Sequence, residues 1–554
     1  MRRDFQSLSR QTYDVLIIGG GITGSCIARD AAMRGLKVAL VEKRDFSHAT
    51  SAANSKLVHG GLRYLKNFEL GLVRESLRER RIWQRIAPHL VYPLPFLVPQ
   101  PADKRGTLTL RIGLSLYDWL SFDRTWLDDK DQRLPGHRGV KNDELKSRAA
   151  IASDSGYPTA IEYHDCQMYA PERLGLACLQ DAAARGAVVV NYAEATELGK
   201  DNTGAVTGAT VCDLTTGTEL RIAARVTVNA AGPWADGVMA MAQDGAPSHR
   251  LIRAKGIHLI TRALTTGNTA LAMFVGSGHF FVLPWRGHSI IGTTDDVFEG
   301  SPDSVTPTDA DIGKMIAAVN VGLPSANLTR ADVIHAYAGV RPLIDESAPG
   351  AEGASYKKSR KAEIIDHTED GEPGLYSALG GKWTTSRHVA AQAVDMIEKR
   401  LGRRVKRAKT DRVPLGGEST GNFAQFVAAL QATHKLTDPA VLANIARNYG
   451  TAAEEVIAAA KGDHALLEPL SPVLPDCGAE IVYAIRREMA LTLEDVMFRR
   501  TGIGTLGHPG DAVVTRCAAL MAAALHWTPD ETARQIASVT AHFHWGPVLS
   551  GTAA

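Results

Sequence analysis

The chain of 554 residues is 45% hydrophobic and 22% charged, and its 62 Lys and Arg residues nearly balance its 60 Asp and Glu residues. A chain this long exceeds one hydrophobic core, so we expect two or three domains. The near-neutral charge argues against nucleic acid as a main partner, because proteins of that class carry a strongly basic surface. Six scattered cysteines without a Cys-x-x-Cys pair argue against zinc and disulfide frameworks and favour a reducing compartment.

The first apolar run is typical of a core strand and not of a secretion signal. No apolar stretch precedes Tyr13, and the run that follows, Val15–Ile18, leads directly into glycines. The longest late apolar run, Cys517–Trp527, is far shorter than the ~20 residues of a membrane-spanning helix. We therefore expect a cytoplasmic protein, or one held on a membrane surface.

A complete nucleotide-binding unit opens the chain. It consists of a buried strand, a glycine-rich turn, a helix and a second strand that ends in an acid: Asp14–Ile18, Gly19-x-Gly21-x-x-Gly24, the stretch to Arg34, Val38–Val41 and Glu42. The first glycine permits the tight turn, the second lets the backbone approach a pyrophosphate, and the third lets the helix pack on the strand. Glu42 is suited to bind the adenosine ribose and would repel the 2′-phosphate of NADP. The pattern predicts a site for NAD or FAD.

The segment that follows favours FAD. A simple NAD domain would usually continue with another strand and helix, whereas here a polar, hydroxyl-rich loop runs from residue 44 to residue 61. Such a loop suits a long cofactor that stretches across the protein. We expect Ser51 and Lys56 near its phosphates, and Gly60 and Gly61 against a flat ring.

Several uncommon motifs occur together with this unit. They are Val228–Asp236, Lys255–Ile260, Ile290–Asp295, Ala338–Leu343, Leu379–Thr385 and Phe498–Gly502. With the first 65 residues they resemble the FAD-dependent glycerol-3-phosphate dehydrogenases of bacteria, members of the glycine-oxidase-like flavoprotein superfamily. The resemblance covers most of the chain. It implies an α/β FAD-binding domain of Rossmann type, an antiparallel-sheet substrate domain interleaved with it in residues 1–412, and an α-helical C-terminal domain in residues 413–554.

Two later turns complete the expected flavin site. A strand ends in a small-residue turn at Gly232, which lets the chain abut the cofactor. Gly380 and Gly381 precede Thr384 and a helical run, whose N-terminus is suited to stabilise negative charge on the reduced ring. The resemblance also implies that His59 braces the flavin.

Cations are expected at the substrate site, because a phosphate dianion is best bound by several of them and Arg has a planar donor group. The candidates are Arg63, Arg341 and Lys382, each next to a glycine-rich or strand-end turn. By pattern alone each is more simply a surface salt-bridge residue, whereas the resemblance places all three on substrate-binding motifs. It also implies that Tyr64 faces the substrate.

Oxidation of an alcohol requires a group that takes the hydroxyl proton, and a neutral histidine does so at pH 7. His258 lies on an alternating strand, where it shares a face with Ile260. The pattern alone favours a core histidine, and the resemblance favours His258 as the base. His59 is the competing candidate, although its place beside Gly60 suits flavin contact better.

The resemblance implies oxidation of sn-glycerol 3-phosphate to dihydroxyacetone phosphate by hydride transfer to FAD, with electrons passed to a membrane quinone. A dehydrogenase of another polyol phosphate, such as erythritol phosphate, stays open, as does an amine or 2-hydroxy-acid oxidase of the same superfamily. A flavin-bearing scaffold or nucleic-acid protein is the alternative from another class. We expect peripheral attachment to the cytoplasmic face of the inner membrane, no nucleic-acid partner and no metal, and a homodimer stays open.

Basic and helical stretches fill the rest of the chain. Arg74–Arg85 is interpreted as a solvated helix face, or as a basic Trp-bearing helix on anionic lipid. Lys399–Arg412 is typical of an exposed linker that is also suited to acidic headgroups. After residue 412 the pattern predicts amphipathic helices, the last with Thr528 as N-cap and Glu531 completing a capping box.

Overall fold

The computed structural model describes residues 1–102, 104–242, 251–276, 278–344 and 362–549. The strands are, in chain order, β1 Val15–Ile18, β2 Val38–Val41, β3 Leu57–Val58, β4 Val91–Gln100, β5 Arg138–Val140, β6 Thr159–Met168, β7 Val188–Val190, β8 Ala193–Lys200, β9 Val206–Asp213, β10 Glu219–Ala223, β11 Thr227–Asn229, β12 Leu251–Thr261, β13 Ala270–Val275, β14 Gly278–Trp285, β15 His288–Gly292, β16 Asp296–Val297, β17 Val333–Ile344, β18 Ala362–Asp366 and β19 Leu375–Gly380. The α-helices are α1 Ile22–Met33, α2 Leu70–Ile86, α3 Lys104–Leu120, α4 Asn142–Asp154, α5 Pro171–Ala183, α6 Ala235–Ala242, α7 Asp309–Gly322, α8 Ser386–Arg400, α9 Phe423–Thr433, α10 Pro439–Tyr449, α11 Ala453–Ala458, α12 Gly478–Arg487, α13 Leu493–Asp495, α14 Asp511–Leu525 and α15 Pro529–Thr540.

A six-stranded sheet carries the glycine-rich turn. Its strands lie in the order β18-β19-β11-β1-β2-β7, and all neighbours are parallel except β18 and β19. Helices α1, α5 and α8 pack on one face, and the antiparallel sheet β10-β9-β8 covers the other. Because parallel strands end at the same edge of a sheet, the turns after β1, β2, β11 and β19 lie along one edge.

A ten-stranded sheet forms the second layer of the molecule. Its order is β16-β12-β15-β14-β13-β4-β6-β3, with β17 on β12 and β5 on β6, and all pairs are antiparallel except β13 with β4. Helices α4 and α7 pack on one face, and α2 and α3 pack on the other. In the β12–β17 pair His258 lies opposite Tyr337, and Ala254 lies opposite Arg341. Since side chains alternate along a strand, Tyr337 and Arg341 share a face.

The C-terminal part of the chain is helical, as predicted, and helices α9 to α15 bury two apolar clusters of their own. Thr528 is the N-cap of α15 and accepts a hydrogen bond from the backbone N–H of Glu531 at 3.1 Å. The predicted capping box is only half formed, because the Glu531 carboxylate accepts from the side chain of Gln535 at 2.9 Å. The α/β, antiparallel-sheet and helical parts agree with the predicted fold class.

Helix α2 is buried more deeply than its sequence suggested. Arg80 is in the interior and forms an ion pair with Asp165 at 2.5 Å. Trp83 is fully buried, and its ring centre lies 5.3 Å from that of Trp383. The interpretation of Arg74–Arg85 as a solvated face, or as a helix that presents its Trp to lipid, is therefore wrong for these two residues. Arg80 pairs with Asp165 of β6, and Trp83 packs against the turn before α8.

Candidate functional site

A cavity of about 570 Å³ lies where the carboxyl edge of the six-stranded sheet meets the ten-stranded sheet. Its walls come from the turns after β1, β2, β11 and β19 and from strands β12, β13, β14 and β17. The loop between β2 and β3 contributes residues 48–51 and 53–55. This size and position are typical of a cofactor and substrate site in an α/β protein.

The glycine turn after β1 brings the N-terminus of α1 to the cavity. Gly19 has φ +111°, in the region that favours glycine. At Gly21 an added Cβ would meet only Ser51 Oγ, at 3.1 Å, so the backbone stays open to the cavity. At Gly24 an added Cβ would lie 1.9 Å from the carbonyl oxygen of Gly19, so helix and turn touch directly. The N–H groups of the first helical turn therefore face the cavity, where they attract an anion.

Glu42 and Ser51 lie at the same end of the cavity. The Glu42 carboxylate accepts hydrogen bonds from the backbone N–H groups of Gly20 at 2.7 Å and Arg44 at 2.9 Å. Burial raises the pKa of Glu42, and these two donors oppose that rise. Ser51 Oγ accepts from the N–H of Ile22 at 2.8 Å. The residues predicted to contact the ribose and a phosphate are thus neighbours.

Lys56 lies elsewhere. Its Nζ is buried 3.3 Å from the carbonyl oxygen of Ala52, 4.0 Å from Glu172 Oε2 and 4.9 Å from the centre of the Trp285 ring. Burial lowers the pKa of Lys56. The side chain is not part of the cavity wall, where a phosphate contact was expected. Lys56 lies behind that wall, between the loop at Ala52, Glu172 of α5 and Trp285 of β14.

The stretch His59–Gly61 divides between the cavity and the interior. His59 and Gly61 line the cavity, and the N–H of His59 donates to Thr384 Oγ1 at 3.2 Å. Gly60 faces the interior, because its N–H donates to Tyr117 Oη and an added Cβ would lie 2.3 Å from that oxygen. Of the two glycines predicted to contact a ring, Gly61 therefore lines the cavity, and Gly60 packs against Tyr117.

Gly232, Gly380 and Gly381 line the cavity with φ values of +56°, +66° and +87°. Thr384 also lines the cavity, and its carbonyl oxygen accepts from Trp83 Nε1 at 3.0 Å. Helix α8 begins two residues later, so its N-terminus approaches the same wall.

These features fit FAD. The glycine turn offers donors to a pyrophosphate, Glu42 offers a carboxylate to a ribose, and Gly380 and Gly381 line the wall where the flat ring is expected. The described residues that would hold it are Gly19, Gly21, Glu42, Ser51, His59, Gly61, Gly232, Gly380, Gly381 and Thr384. When bound there, FAD supplies a hydride acceptor.

His258 is a buried, neutral imidazole in the cavity wall. Its Nε2 lies 2.8 Å from Ser55 Oγ, and its ring stacks on Tyr337 with centres 5.0 Å apart. Within the part of the chain that the structure describes, Nδ1 of His258 has no hydrogen-bond partner. Burial lowers the pKa of His258 to about 3, and the charges of Arg341 and Lys56 act in the same direction.

Arg341 reaches the cavity from β17. Its Nη2 donates to the carbonyl oxygen of Thr294 at 2.6 Å and lies 3.0 Å from Asp295 Oδ1. An added Cβ at Gly256 would lie 2.8 Å from this Nη2, so the guanidinium occupies space that only glycine leaves open. The planar donor group is thereby held in one orientation beside the cavity.

Lys382 and Tyr64 form a second cationic position. Lys382 Nζ lies 3.0 Å from Ser76 Oγ and 3.9 Å from the centre of the Tyr64 ring, a cation–π contact. Both residues line the cavity. Arg63 belongs to the short helix Leu62–Asn67, and its side chain lies outside the described part of the structure.

Sequence reasoning missed several residues that line this wall or contact its side chains from behind. Tyr337 could have been found, because it is four residues before Arg341 on one strand and must share its face. Gly256 and Asp295 stood within quoted motifs without a role. Ser55 carries no signal of its own, since only the packing of two sheets brings it to His258.

Comparison with known proteins gives consistent results along the chain. The family model "FAD dependent oxidoreductase" matches residues 14–387, and "C-terminal domain of alpha-glycerophosphate oxidase" matches residues 408–532. A glycerol-3-phosphate dehydrogenase of Synechocystis sp. is 34% identical over 549 residues, covering 96% of this chain and 97% of the relative. An aerobic glycerol-3-phosphate dehydrogenase of Staphylococcus aureus is 34% identical over 90% of this chain and 88% of its own length.

A solved structure extends the likeness to three dimensions. The glycerol-3-phosphate dehydrogenase from Bacillus halodurans, complexed with FAD, has a TM-score of 0.76 at 26% identity and covers 99% of this chain and 97% of its own. None of the described helices combines the length and apolar character needed to cross a membrane. The chain belongs to the FAD-dependent oxidoreductases and, within them, to the glycerol-3-phosphate dehydrogenase family.

Proposed function

We propose that the protein oxidises sn-glycerol 3-phosphate to dihydroxyacetone phosphate. The observation that carries the proposal is the meeting of one buried, neutral imidazole, His258, with two cations, Arg341 and Lys382, on the walls of one cavity. A secondary alcohol needs a proton acceptor at its hydroxyl, and a phosphate needs cations. The names of the relatives from Synechocystis sp. and Staphylococcus aureus support the same substrate.

The cations are suited to the phosphate in different ways. Arg341 presents a planar donor group that Thr294 and Asp295 orient. Lys382 adds a compact charge that Ser76 and the Tyr64 ring hold in place. Because both positions are partly buried, their attraction for a dianion is screened less than it would be at the surface.

His258 is the favoured proton acceptor, and its base strength depends on the substrate. The positive charges of Arg341 and Lys56 help to hold its pKa low in the free protein. A dianion bound beside Arg341 offsets that charge and raises the pKa, so the imidazole becomes a stronger base when the substrate is present. Ser55 Oγ fixes the ring from the other side through Nε2.

Anaerobic bleaching of the protein-bound flavin tests this proposal. Purified protein is mixed with sn-glycerol 3-phosphate, a larger polyol phosphate such as erythritol phosphate, glycerol and a set of amino acids, and the absorbance of oxidised flavin is followed. We expect rapid bleaching by glycerol 3-phosphate and almost none by glycerol. Faster bleaching by erythritol phosphate would assign the sister activity, and bleaching by an amine with peroxide release in air would assign an oxidase.

We also propose that the electrons pass to a quinone in a membrane to which the protein binds peripherally. An exposed apolar face supports this. On α3 the side chains Leu108, Ile112 and Trp119 are 61%, 64% and 70% exposed and lie on one side of the helix, at spacings of four and seven residues. Phe122 and Trp126 extend the same surface just beyond α3.

The surface formed by Leu108, Ile112, Trp119, Phe122 and Trp126 is called the aromatic face. The positive charges around it are suited to an anionic lipid surface. Arg74 lies 4.4 Å above the Phe122 ring, and Arg81 lies 5.7 Å from that of Trp126. Tryptophan and arginine side chains together are typical of helices that lie at a bilayer interface. Helix α3 also supplies Tyr117, which bonds to Gly60 beside the cavity, so lipid on this face would lie close to the flavin end of the site.

Sedimentation with vesicles tests the membrane proposal. We expect binding to vesicles that contain anionic lipid, release by high salt or carbonate without detergent, and much weaker binding of Trp119→Ser. Leu436→Ser, at a residue 88% exposed in the turn between α9 and α10, is the matched control and should bind normally. Equal binding of both variants would refute the aromatic face as the lipid contact, and a change from dimer to monomer in Trp119→Ser would assign it to a subunit interface.

A further inference from the structure

The motif Phe498–Gly502 of the C-terminal helices contacts the loop after β2, at the end of the cavity formed by Glu42 and the glycine turn. This end is called the cofactor end. Arg500 is 1% exposed and forms a two-pronged ion pair with Asp45, at 2.7 Å to Oδ2 and 2.8 Å to Oδ1. Arg499 Nε donates to the same Asp45 Oδ2 at 2.7 Å. Two arginines from the end of the chain thus meet one fully buried carboxylate that stands three residues after Glu42.

Asp45 begins the loop that builds one wall of the cavity. The next residue, Phe46, packs under the glycine turn, where an added Cβ at Gly20 would lie 2.8 Å from Phe46 Cδ1. The N–H of Ser47 donates to the carbonyl oxygen of Gly20 at 3.0 Å. The loop then reaches Ser51, which bonds to the first turn of α1. A shift of Asp45 would therefore move the contacts that shape the glycine turn.

Arg499 makes a second connection through His48, which itself lines the cavity. Arg499 Nη1 lies 3.4 Å from His48 Nδ1, and Arg44 Nη1 lies 3.0 Å from His48 Nε2. Glu494 and Asp495 hold the guanidinium of Arg499 at 2.9 Å and 2.7 Å. Burial lowers the pKa of His48 to about 4, with Arg499 acting in the same direction, so His48 is neutral at physiological pH.

The arginine pair is what makes the position of Asp45 stable. Burial opposes ionisation of this carboxyl, yet Arg500 and Arg499 hold the pKa of Asp45 at about 2. The side chain of Asn191 adds one further hydrogen bond, at 3.0 Å. A buried carboxylate that loses a cationic partner is strongly destabilised, so the loop must rearrange when Arg500 is removed.

We propose that Arg499 and Arg500 are positioning residues of the FAD site: through Asp45 they hold the 45–51 wall against the glycine turn, so that the C-terminal helices are required for tight FAD binding. The proposal depends on the cofactor and not on which polyol phosphate is oxidised.

FAD affinity of full-length variants tests this. Arg500→Met should raise the Kd for FAD by roughly tenfold or more, measured by fluorescence titration of flavin-free protein, because the Asp45 carboxylate keeps its burial and loses its two-pronged partner. Asp45→Asn should weaken FAD binding too. The variant that carries both changes should bind FAD no more weakly than whichever single variant has the higher Kd, because both changes break the same contact. Arg500→Lys keeps the charge without the fork and should be intermediate.

Arg447→Met is the matched control. Arg447 of α10 donates from Nη1 to the carbonyl oxygen of His89 at 3.2 Å and lies 4.0 Å from the centre of the Phe423 ring, so its loss also removes an arginine contact between the C-terminal helices and the rest of the chain, away from the cavity wall. We expect any change to be confined to Tm, with a Kd for FAD within about twofold of the parent, since no cavity contact changes. Equal loss of FAD affinity in Arg447→Met and Arg500→Met, or normal affinity in Arg500→Met, would overturn the proposal. If Arg500→Met does not fold, normal FAD affinity in Arg500→Lys and Asp45→Asn overturns it.

Discussion

The two ends of the cavity are built in different ways. The cofactor end is formed mostly by residues 15–51, one contiguous stretch. It presents backbone N–H groups, glycines whose lack of a side chain leaves the backbone accessible, and one carboxylate. At the reacting end the groups come from four distant segments: Tyr64, His258 on β12, Arg341 on β17 and Lys382 after β19. A local motif can form the first end, whereas the second exists only when two sheets pack together.

The two ends also differ in what a substitution removes. At the cofactor end a new side chain would fill space that the backbone or the cofactor needs. At the reacting end a substitution removes a charge or a proton acceptor and leaves the space. This contrast predicts loss of fold or cofactor at one end and loss of turnover, with cofactor retained, at the other.

The largest effect is expected at the glycine turn. Gly24→Val should give no folded protein, because even its Cβ would lie 1.9 Å from the carbonyl oxygen of Gly19. Gly21→Val should fold, since its Cβ meets only Ser51 Oγ at 3.1 Å, and should be colourless because the branched side chain blocks the pyrophosphate. Circular dichroism and FAD released on denaturation measure the two outcomes. A yellow Gly21→Val protein with full flavin content would remove the basis of the assigned pyrophosphate contact.

The next effect is expected at the proposed proton acceptor. His258→Ala should lower kcat by about 10²- to 10⁴-fold, the usual contribution of a positioned general base. The loss should be similar for glycerol 3-phosphate and for glycerol, which lacks the phosphate. FAD content should stay at the parent level, because His258 is at the reacting end. Stopped-flow reduction of the bound flavin measures the step. His59→Ala is the comparison: a larger loss there, with FAD retained, would move the base to His59.

Removal of a cation proposed to bind the substrate phosphate should lower activity somewhat less. Arg341→Ala should remove roughly 2–5 kcal/mol of transition-state stabilisation, which lowers kcat/KM for glycerol 3-phosphate by about 30- to 5,000-fold. Part of the loss should fall on kcat, because binding energy at the phosphate also orients the reacting carbon. The slow rate with glycerol should barely change.

Arg262→Ala is the control for Arg341, because Arg262 is an exposed arginine at the far end of β12 that pairs with Asp332. It should leave both substrates unaffected. If Arg341→Ala slowed glycerol and its phosphate equally, Arg341 would act on the flavin or the chemistry, and the phosphate site would be misplaced.

A smaller effect is expected for the group that orients the base. Ser55→Ala removes the 2.8 Å contact to His258 Nε2 and should lower kcat by about 2- to 10-fold, the range of one net hydrogen bond. KM and FAD content should change little. A loss as large as that of His258→Ala would mean that Ser55 takes part in proton transfer itself.

The smallest effect concerns pH, and each end contributes one neutral histidine. Burial lowers the pKa of His48 to about 4 and that of His258 to about 3. As pH falls below 6.5 the unfolded chain takes up these protons first, so the free energy of unfolding should fall, by up to about 1.4 kcal/mol per pH unit for each histidine. Denaturant midpoints between pH 7.5 and 5 measure this, and His48→Gln and His258→Gln should each give a shallower slope. Slopes parallel to the parent's would contradict the low pKa values.

The sequence was a sufficient guide wherever neighbours along the chain decide the geometry. The glycine turn, the acid at the end of β2 and the cap at Thr528 all depend on residues within a few positions of one another. The packing of Lys56 and Gly60 could not be predicted, for the opposite reason. Lys56 Nζ is placed beside Trp285, more than two hundred residues away, and Gly60 accommodates Tyr117 of α3.

The amino-acid sequence by itself determined that a dinucleotide unit opens the chain and that helices close it, because strand, turn and cap patterns are local. Only the tertiary structure decided which residues meet. The pairing of β12 with β17 brings Tyr337 to His258, and the docking of the C-terminal helices brings Arg500 to Asp45, 455 positions earlier. No periodicity encodes such meetings, because they depend on how sheets and helices pack after each has formed.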